Sequence, residues 1–177
     1  MKKSKPTWWF FILILACLIV LAPLMRGGLF VSDDAQWMVI RLSAFFQSLR
    51  EGQFPVRFLG RLNHSYGYPV ENFLYPGFLY LGSFIHALGF PYVETIKIIL
   101  ALSVVGSALV AFLWLRVYFS AFASVIGAFG FLFSPYLLFD LYTGGAVGEV
   151  LAFLPAFAGF YSIATKKRWL FALSVAV

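Results

Sequence analysis

The chain has 177 residues, of which 62% are hydrophobic, 20% aromatic and only 11% charged, and its formal net charge is +6. Soluble domains are about 45–50% apolar and about 25% charged, and a soluble protein of this size has too little interior to bury so apolar a chain. The composition therefore excludes a soluble globular domain, a disordered chain, a collagen-like fibre and a disulfide scaffold. It predicts a polytopic membrane protein.

The first predicted element is a membrane-spanning helix over residues 8–25. Its apolar run from Trp8 to Leu24 carries no charge, and a spanning helix needs about 20 such residues. Three basic residues precede it: Lys2, Lys3 and Lys5. A basic flank predicts a cytoplasmic N-terminus and also fits an uncleaved signal anchor. Cys17 is the single cysteine, and its place in mid-span predicts a buried thiol.

Residues 26–91 are predicted to form a long outer loop with surface helices over 33–50 and 73–90. Ser32-Asp33-Asp34-Ala35 is typical of a helix start, with Ser32 as N-cap and both aspartates in the first turn. Apolar residues then recur at helical spacing, which predicts an amphipathic helix on the membrane surface: Trp37, Ile40, Ala44 or Phe45, and Phe46. Turn-forming residues dominate from Pro55 to Pro76 and predict an irregular segment.

The remaining chain predicts spanning helices over 92–118, 121–139 and 149–164, and the start of a further span over 169–177. Pro135 is expected to bend the end of the second of these, and residues 141–148 form a polar, glycine-rich loop. Since the last apolar run has only nine residues, the chain is expected to be the N-terminal part of a larger bundle. The fold class is therefore predicted as all-α.

The basic residues predict the orientation. If 73–90 lies on the outer face without crossing, then Arg116 and Lys166-Lys167-Arg168 fall on the same side as the N-terminal lysines. Basic residues are enriched in cytoplasmic loops, so this topology is favoured over one in which 73–90 spans. The prediction is a multi-pass plasma-membrane protein with a cytoplasmic N-terminus.

Under this topology the acidic residues Asp33, Asp34, Asp140 and Glu149 converge on the outer face. Carboxylates near a bilayer usually face a cavity or a partner, and paired acids act as a general base or hold a divalent cation. The alternative for Asp33, Asp34 and Glu149 is a structural role at a helix N-terminus, where acids gain about 0.3–1 kcal/mol. Asp140 also fits a simple helix end.

Basic and aromatic residues of the outer loop offer a second set of candidates. Arg57, Arg61 and His64 suit phosphate recognition, or they pair with Glu51 and Glu71 or with lipid headgroups. The aromatic side chains of this region suit either stacking on a sugar ring or an interfacial belt: Tyr66, Tyr68, Tyr75, Phe78 and Tyr80. No metal-ligand spacing, phosphate-binding loop or dinucleotide motif occurs, and nucleic-acid binding is not expected.

Three segments together resemble the N-terminal part of the GT-C membrane glycosyltransferases: Ser32-Asp33-Asp34-Ala35-Gln36-Trp37, Gly67-Tyr68-Pro69-Val70-Glu71-Asn72-Phe73-Leu74-Tyr75-Pro76 and Tyr142-Thr143-Gly144-Gly145-Ala146-Val147-Gly148-Glu149. Taken together, in this order along the chain, the three segments are most similar to the bacterial membrane proteins labelled "6-pyruvoyl-tetrahydropterin synthase-related". Nothing in the chain resembles the soluble pterin enzyme. That family commonly has an arginine before the Gly-Ala of the last segment, and Gly144 stands there in this chain.

The resemblance implies a GT-C-like bundle that transfers a sugar from a polyprenyl-phosphate carrier at the extracytoplasmic face. Asp33 or Asp34 would be the general base, and Glu149 would position the acceptor or support a divalent cation such as Mg²⁺ or Mn²⁺, with Asp34 and Glu149 as its ligands. The alternative is a non-catalytic membrane protein, either a transporter fragment or an inactive scaffold of this type. Transporters often show inverted repeats, and the sequence shows none.

Overall fold

The computed structural model describes residues 7–176, and its helices and helical turns are separated by irregular segments, the longest over 51–69. Its α-helices are α1 (Thr7–Leu21), α2 (Ala35–Arg50), α3 (Gly77–Ala87), α4 (Tyr92–Tyr118), α5 (Ala121–Leu132), α6 (Pro135–Leu138), α7 (Val147–Thr165) and α8 (Arg168–Ala176). Short 3₁₀ turns cover Ala22–Met25 and Val70–Asn72, and a π-helical turn covers Phe139–Gly144. Within the described residues, the single β contact is an isolated bridge between Leu59 and Tyr68. The predicted all-α class is confirmed.

Three helical segments are long and apolar enough to cross a membrane: Trp8–Met25, Tyr92–Tyr118 and Val147–Thr165. A fourth candidate is the pair Ala121–Leu132 and Pro135–Gly144, which are bent by 40°. The bend follows from Ser134, whose hydroxyl accepts a hydrogen bond from Leu137 N (3.3 Å), and from Pro135 at the start of α6. These segments support an integral membrane protein.

Helix α4 is the centre of the bundle and contacts α1, α2, α3, α5 and α7. One face of it is completely inaccessible to solvent, and it is formed by Ile96, Ile99, Leu100, Val104 and Ala108. Gly106 brings α4 close to α7, since a β-carbon there would lie 3.0 Å from Leu154 Cδ1. By contrast, α1 leaves Phe11, Leu15 and Ile19 60–72% exposed, an apolar stripe suited to lipid.

Long-range contacts place residues 26–91 and 143–147 at one end of the bundle, here named the loop end. Lys97 near the start of α4 donates to the Arg26 carbonyl (2.9 Å) and to Glu94 Oε1 (3.2 Å), although it is 8% exposed. The Tyr142 hydroxyl donates to the Val20 carbonyl of α1. At the opposite end the Trp9 ring lies 6.4 Å from the Phe122 ring at the start of α5.

The second surface helix is shorter than the sequence predicts, because α3 has 11 residues in place of the expected 73–90. At 1.5 Å per residue such a helix extends about 17 Å, little more than half of a bilayer core. Gly82 lets α3 approach Leu42 of α2 and Ile99 of α4, and the His86 ring stacks on Tyr92 at 3.8 Å. Helix α3 thus packs beside the first turns of α4.

Two details of the predicted loop regions are wrong. The aspartates are not in the first turn of α2, since the helix begins at Ala35 and Asp34 is its N-cap residue. Nor do residues 141–148 form an open glycine-rich loop: the π-helical turn extends to Gly144, and α7 begins at Val147. A third difference concerns the buried face of α2, which carries Met38, Leu42 and Phe45, while Trp37 and Ile40 remain exposed.

The basic flank Lys2, Lys3 and Lys5 and the last residue of the expected final span lie outside the described residues. Lys166, Lys167 and Arg168 are exposed beyond the end of α7. The number of membrane crossings and the cytoplasmic N-terminus remain predictions.

Candidate functional site

Two backbone hydrogen bonds join the residues before α2 to the residues before α7. Asp33 N donates to the Thr143 carbonyl (2.8 Å), and Asp34 N donates to the Gly144 carbonyl (3.0 Å). We name this the aspartate–glycine contact. It fixes the positions of both aspartates relative to the bundle, although the two segments are distant in the sequence.

The cap of α2 leaves both aspartate side chains free. Ser32 Oγ accepts the hydrogen bond from Ala35 N (3.0 Å), whereas the carboxylate of Asp34 forms no capping bond. Asp33 and Asp34 are exposed, and neither carboxylate has a hydrogen bond or ion pair with another residue in the range 7–176. The side-chain hydrogen bond at the start of α2 is therefore made by Ser32, the predicted cap, and not by either aspartate.

Gly145 makes this close approach possible. Its φ of +67° lies in the left-handed region, and a β-carbon there would be 2.5 Å from both Ala35 N and Ser32 Oγ. A side chain at this position would collide with the very atoms that cap α2. Glycine at 145 is thus required by backbone conformation and by space.

The other two predicted acids lie beside the same contact. The Tyr136 hydroxyl donates to Glu149 Oε2 (3.1 Å) in the first turn of α7. The carboxylate of Asp140 lies near the same hydroxyl, but it is only 5% exposed and its Oδ2 has no hydrogen-bond partner within the described residues. Asp140 therefore does not end a helix at the interface; it is buried in the π-helical turn.

Tyr75 stands among the acids. Its ring packs directly on Gly148, where any side chain would overlap it. Burial of part of the ring, and next the negative charge of Glu149, raise the pKa of Tyr75; Asp140 and Asp34 add to this, and Arg41 opposes it. Tyr75 therefore lies within electrostatic range of Asp34, Asp140 and Glu149.

The predicted basic group is not assembled into one site with these acids. Arg61 lies 3.8 Å from Glu51, and both side chains are more than half exposed, so the pair contributes little. Arg57 and His64 are exposed, with no side-chain hydrogen bond to the described part of the chain. Of the two partners suggested by the sequence, Glu51 does pair and Glu71 does not.

Two important residues could not be selected from the sequence. Glu71 is 2% exposed, and neither carboxylate oxygen has a hydrogen-bond partner among residues 7–176. Burial raises the pKa of Glu71 to about 7, partly offset by the positive charge of Arg41. Arg41 lies seven residues after Asp34 on α2, and this helical spacing is the one signal that indicates a shared face. Nothing local indicates the burial of Glu71.

Two clefts open at this end of the molecule. The α7 cleft, about 280 Å³, is mostly apolar and is lined by Tyr75, Gly77, Phe78, Gly148, Glu149, Leu151, Ala152 and Pro155. The α2 cleft, about 470 Å³, mixes polar and aromatic side chains: Asp34, Trp37, Arg41, Leu62, Asn63 and Tyr68. They flank the acidic site on its two sides, since Glu149 lines the first and Asp34 the second.

No three His, Cys, Asp or Glu side chains between residues 7 and 176 lie close enough together to hold a metal ion. A divalent cation at Asp34 and Glu149 would therefore need further oxygen ligands from substrate or water, as Mg²⁺ commonly does.

Comparison of the chain with known family models, curated proteins and solved structures finds no match.

Proposed function

We propose that this integral membrane protein transfers a sugar from a polyprenyl-phosphate carrier at the loop end of the bundle. The observation that carries the proposal is the aspartate–glycine contact, which holds Asp33 and Asp34 against the segment between Asp140 and Glu149 and leaves both carboxylates without a partner among the described residues. An enzyme of this class needs a carboxylate that is fixed in position but free to accept a proton. Asp33 and Asp34 meet both requirements.

In the reaction, an aspartate accepts the proton of an acceptor hydroxyl while that oxygen attacks the anomeric carbon of the donor. The bond between this carbon and the carrier phosphate oxygen breaks, and the polyprenyl phosphate leaves with the bonding electrons. Since the carrier provides the leaving group, no nucleotide pocket is needed. Glu149, which Tyr136 orients by its hydrogen bond, positions the acceptor or a cation.

The α7 cleft supports a donor with a lipid tail. It runs from Glu149 along Leu151, Ala152 and Pro155 of a helix that is apolar enough to span the membrane. An isoprenoid chain bound there would keep its apolar surface out of water while its phosphate stays near the loop end. The phosphate of the donor would then lie near the start of α7, where the helix dipole favours it and where a divalent cation held at Asp34 and Glu149 would offset the repulsion by these carboxylates.

The test is transfer of radiolabelled sugar from polyprenyl-phosphate donors in membranes that contain the protein. Asp33→Asn and Asp34→Asn, separately and together, should reduce transfer, the decisive one by about 100-fold or more, without reducing protein level. Glu51→Gln is the matched control and should remain active, because Glu51 is exposed and its carboxylate contacts Gln47 and Arg61 and not the acidic site.

If both aspartate variants transfer sugar as well as the wild type, the catalytic assignment is wrong. If the wild type itself transfers none of the donors offered, the non-catalytic alternative is favoured.

A further inference from the structure

The α2 cleft adjoins the candidate site through Asp34, but its other lining residues have no role in the transfer reaction described above. One wall is the face of α2 formed by Asp34, Trp37 and Arg41, at positions i, i+3 and i+7. The other wall contains Tyr68 and Asn63, which begins a left-handed turn. The volume of about 470 Å³ is within the range of small-molecule sites, about 300–1,000 Å³.

The two aromatic residues of this cleft are about half exposed. The side chains of Trp37 and Tyr68 are 55% and 47% exposed. Neither ring is stacked on another aromatic ring of the described chain. Aromatic rings left open in a concave, partly polar surface offer flat apolar faces to a ligand.

The polar groups of the cleft are equally free. Asp34 and Arg41 do not form an ion pair with each other in the described structure, and the Arg41 guanidinium donates one weak hydrogen bond, to Met38 Sδ at 3.9 Å. The Asn63 side chain likewise has no hydrogen-bond partner within residues 7–176. A carboxylate, an amide and a guanidinium thus remain available, and together they accept and donate several hydrogen bonds.

The Arg41 guanidinium forms no ion pair with a described residue. Glu71, the acid on which its charge acts, is enclosed, and burial raises the pKa of Glu71 to about 7. The guanidinium donors therefore remain available to a ligand. A bound neutral ligand would add hydrogen bonds without disturbing the local charge balance.

We propose that the α2 cleft binds a pyranose ring of the sugar acceptor, with Trp37 and Tyr68 against its apolar faces and Asp34, Asn63 and Arg41 on its hydroxyl groups. A free phosphate fits less well, because Asp34 would oppose its attraction to Arg41 and the faces of Trp37 and Tyr68 would stay uncovered. A purely apolar ligand would leave three polar groups unsatisfied. That the bound sugar is the acceptor of the reaction rests on the proposed function. That the ligand is a pyranose rests on the residues that line the cleft.

The test measures binding directly, on the full chain purified in a detergent without a sugar headgroup. Saturation-transfer NMR titrations use methyl β-D-glucopyranoside, methyl α-D-mannopyranoside and N-acetyl-D-glucosamine, with inorganic phosphate and glycine betaine as competing probes. At least one sugar should bind saturably. Trp37→Ala and Tyr68→Ala should each weaken that binding about tenfold or more.

Tyr66→Ala is the matched control, because Tyr66 lies in the same segment, is 84% exposed and does not line the cleft. Its sugar affinity should equal that of the wild type. Neither Trp37 nor Tyr68 is buried, so their truncation removes little packing, and an unchanged thermal unfolding midpoint verifies the fold.

The inference is overturned if none of the three sugars binds saturably, or if Trp37→Ala and Tyr68→Ala bind the sugar as tightly as the wild type does. It is also overturned if phosphate or glycine betaine competes with the sugar for its site. Sugar binding that depends on Trp37, in a protein without transfer activity, supports the cleft and contradicts the enzyme. Transfer that persists unchanged in both aromatic variants supports the enzyme and overturns the cleft.

Discussion

Gly145 is the residue on which the position of the two aspartates depends most directly. Gly145→Ala would place a methyl group 2.5 Å from Ala35 N, a backbone atom that cannot rotate away, and would also force alanine into the left-handed region. The two effects together should destabilise the folded protein by about 1–3 kcal/mol. Transfer should fall further than the stability loss explains, because the aspartates move.

The control for this substitution is Gly130→Ala on α5. Gly130 has an ordinary φ, and no neighbouring atom lies within 4 Å of the position that the alanine methyl would occupy, so alanine should be neutral or stabilising by up to about 1 kcal/mol. Thermal unfolding midpoints and transfer rates of the two variants give the comparison. Equal midpoints would mean that the aspartate–glycine contact does not contribute to stability.

Glu71 should make stability depend on pH. Burial raises the pKa of Glu71 from 4.5 to about 7, so the folded chain binds this proton more tightly than the unfolded chain. The stabilisation is complete below pH 4.5 and is lost as the pH rises through about 7. Glu71→Gln cannot ionise, and it should be similar to wild type at pH 5 but more stable at pH 8, by roughly 3 kcal/mol.

Unfolding measured at pH 5 and pH 8 for wild type and variant isolates this effect, since the other groups titrate in both proteins. Glu51→Gln, whose side chain is 58% exposed, serves as control and should leave the pH dependence unchanged. A Glu71→Gln variant with the full pH dependence of the wild type would show that Glu71 is ionised in the folded state.

At the scale of helices, α4 and α7 form a main contact of the bundle, and Gly106 permits it. Gly106→Leu would push against Leu154, which a β-carbon at 106 would already approach to 3.0 Å. Over-packing of this kind costs about 1–3 kcal/mol. Gly130→Leu adds the same side chain at an exposed position on α5 and should cost nearly nothing. Thermal unfolding of both variants tests the packing, and equal midpoints would contradict it.

Helix positions were largely predictable because long apolar runs identify them without knowledge of their neighbours. The faces of α2 were not, since its sequence contains two apolar stripes. One includes Trp37 and Ile40, the other Met38, Leu42 and Phe45, and only contact with α3 and α4 selects the second as buried. The π-helical turn was missed because its glycines predict an open loop, whereas tertiary contacts wind the chain through Gly144.

In the candidate site, too, some residues could be predicted from the sequence and others could not. Asp33, Asp34, Asp140 and Glu149 could be selected because acids are rare in so apolar a chain. The expectation that these acids lie on the same side of the membrane depended on the topology that the basic residues predict. Glu71 could not be selected, because its burial arises from the folding of residues 51–76 against the bundle and leaves no local pattern.

For the whole molecule, the acidic residues are confined to one end, where six basic residues accompany them: Arg26, Arg41, Arg50, Arg57, Arg61 and Lys97. All seven acidic residues of the chain lie at the loop end. The opposite end carries no acid in the described part of the chain and four basic residues: Arg116, Lys166, Lys167 and Arg168. Since basic residues favour the cytoplasmic side, we infer that the loop end faces outward. This orientation requires that α3 does not cross the membrane.

Single cysteines test this topology in a Cys17→Ala background, where the replaced thiol is completely buried. Val31→Cys precedes α2 and Leu88→Cys follows α3; the native side chains are 87% and 65% exposed. Both should react with a membrane-impermeant maleimide added to intact cells, whereas Lys166→Cys should react only after the cells are opened. The buried Ser83 would be a poor probe of the same helix.

Labelling at positions 31 and 88 shows whether α3 crosses the membrane, and labelling at position 166 shows the orientation of the bundle. If α3 spans, the two outer probes must label from opposite sides, because one precedes and the other follows it. If both label only in opened cells while Lys166→Cys labels in intact cells, the bundle is inverted. An inverted bundle would place the acidic site in the cytoplasm and remove the reason for an extracytoplasmic, lipid-linked donor. The topology measurement therefore tests the proposed donor class as well as the fold.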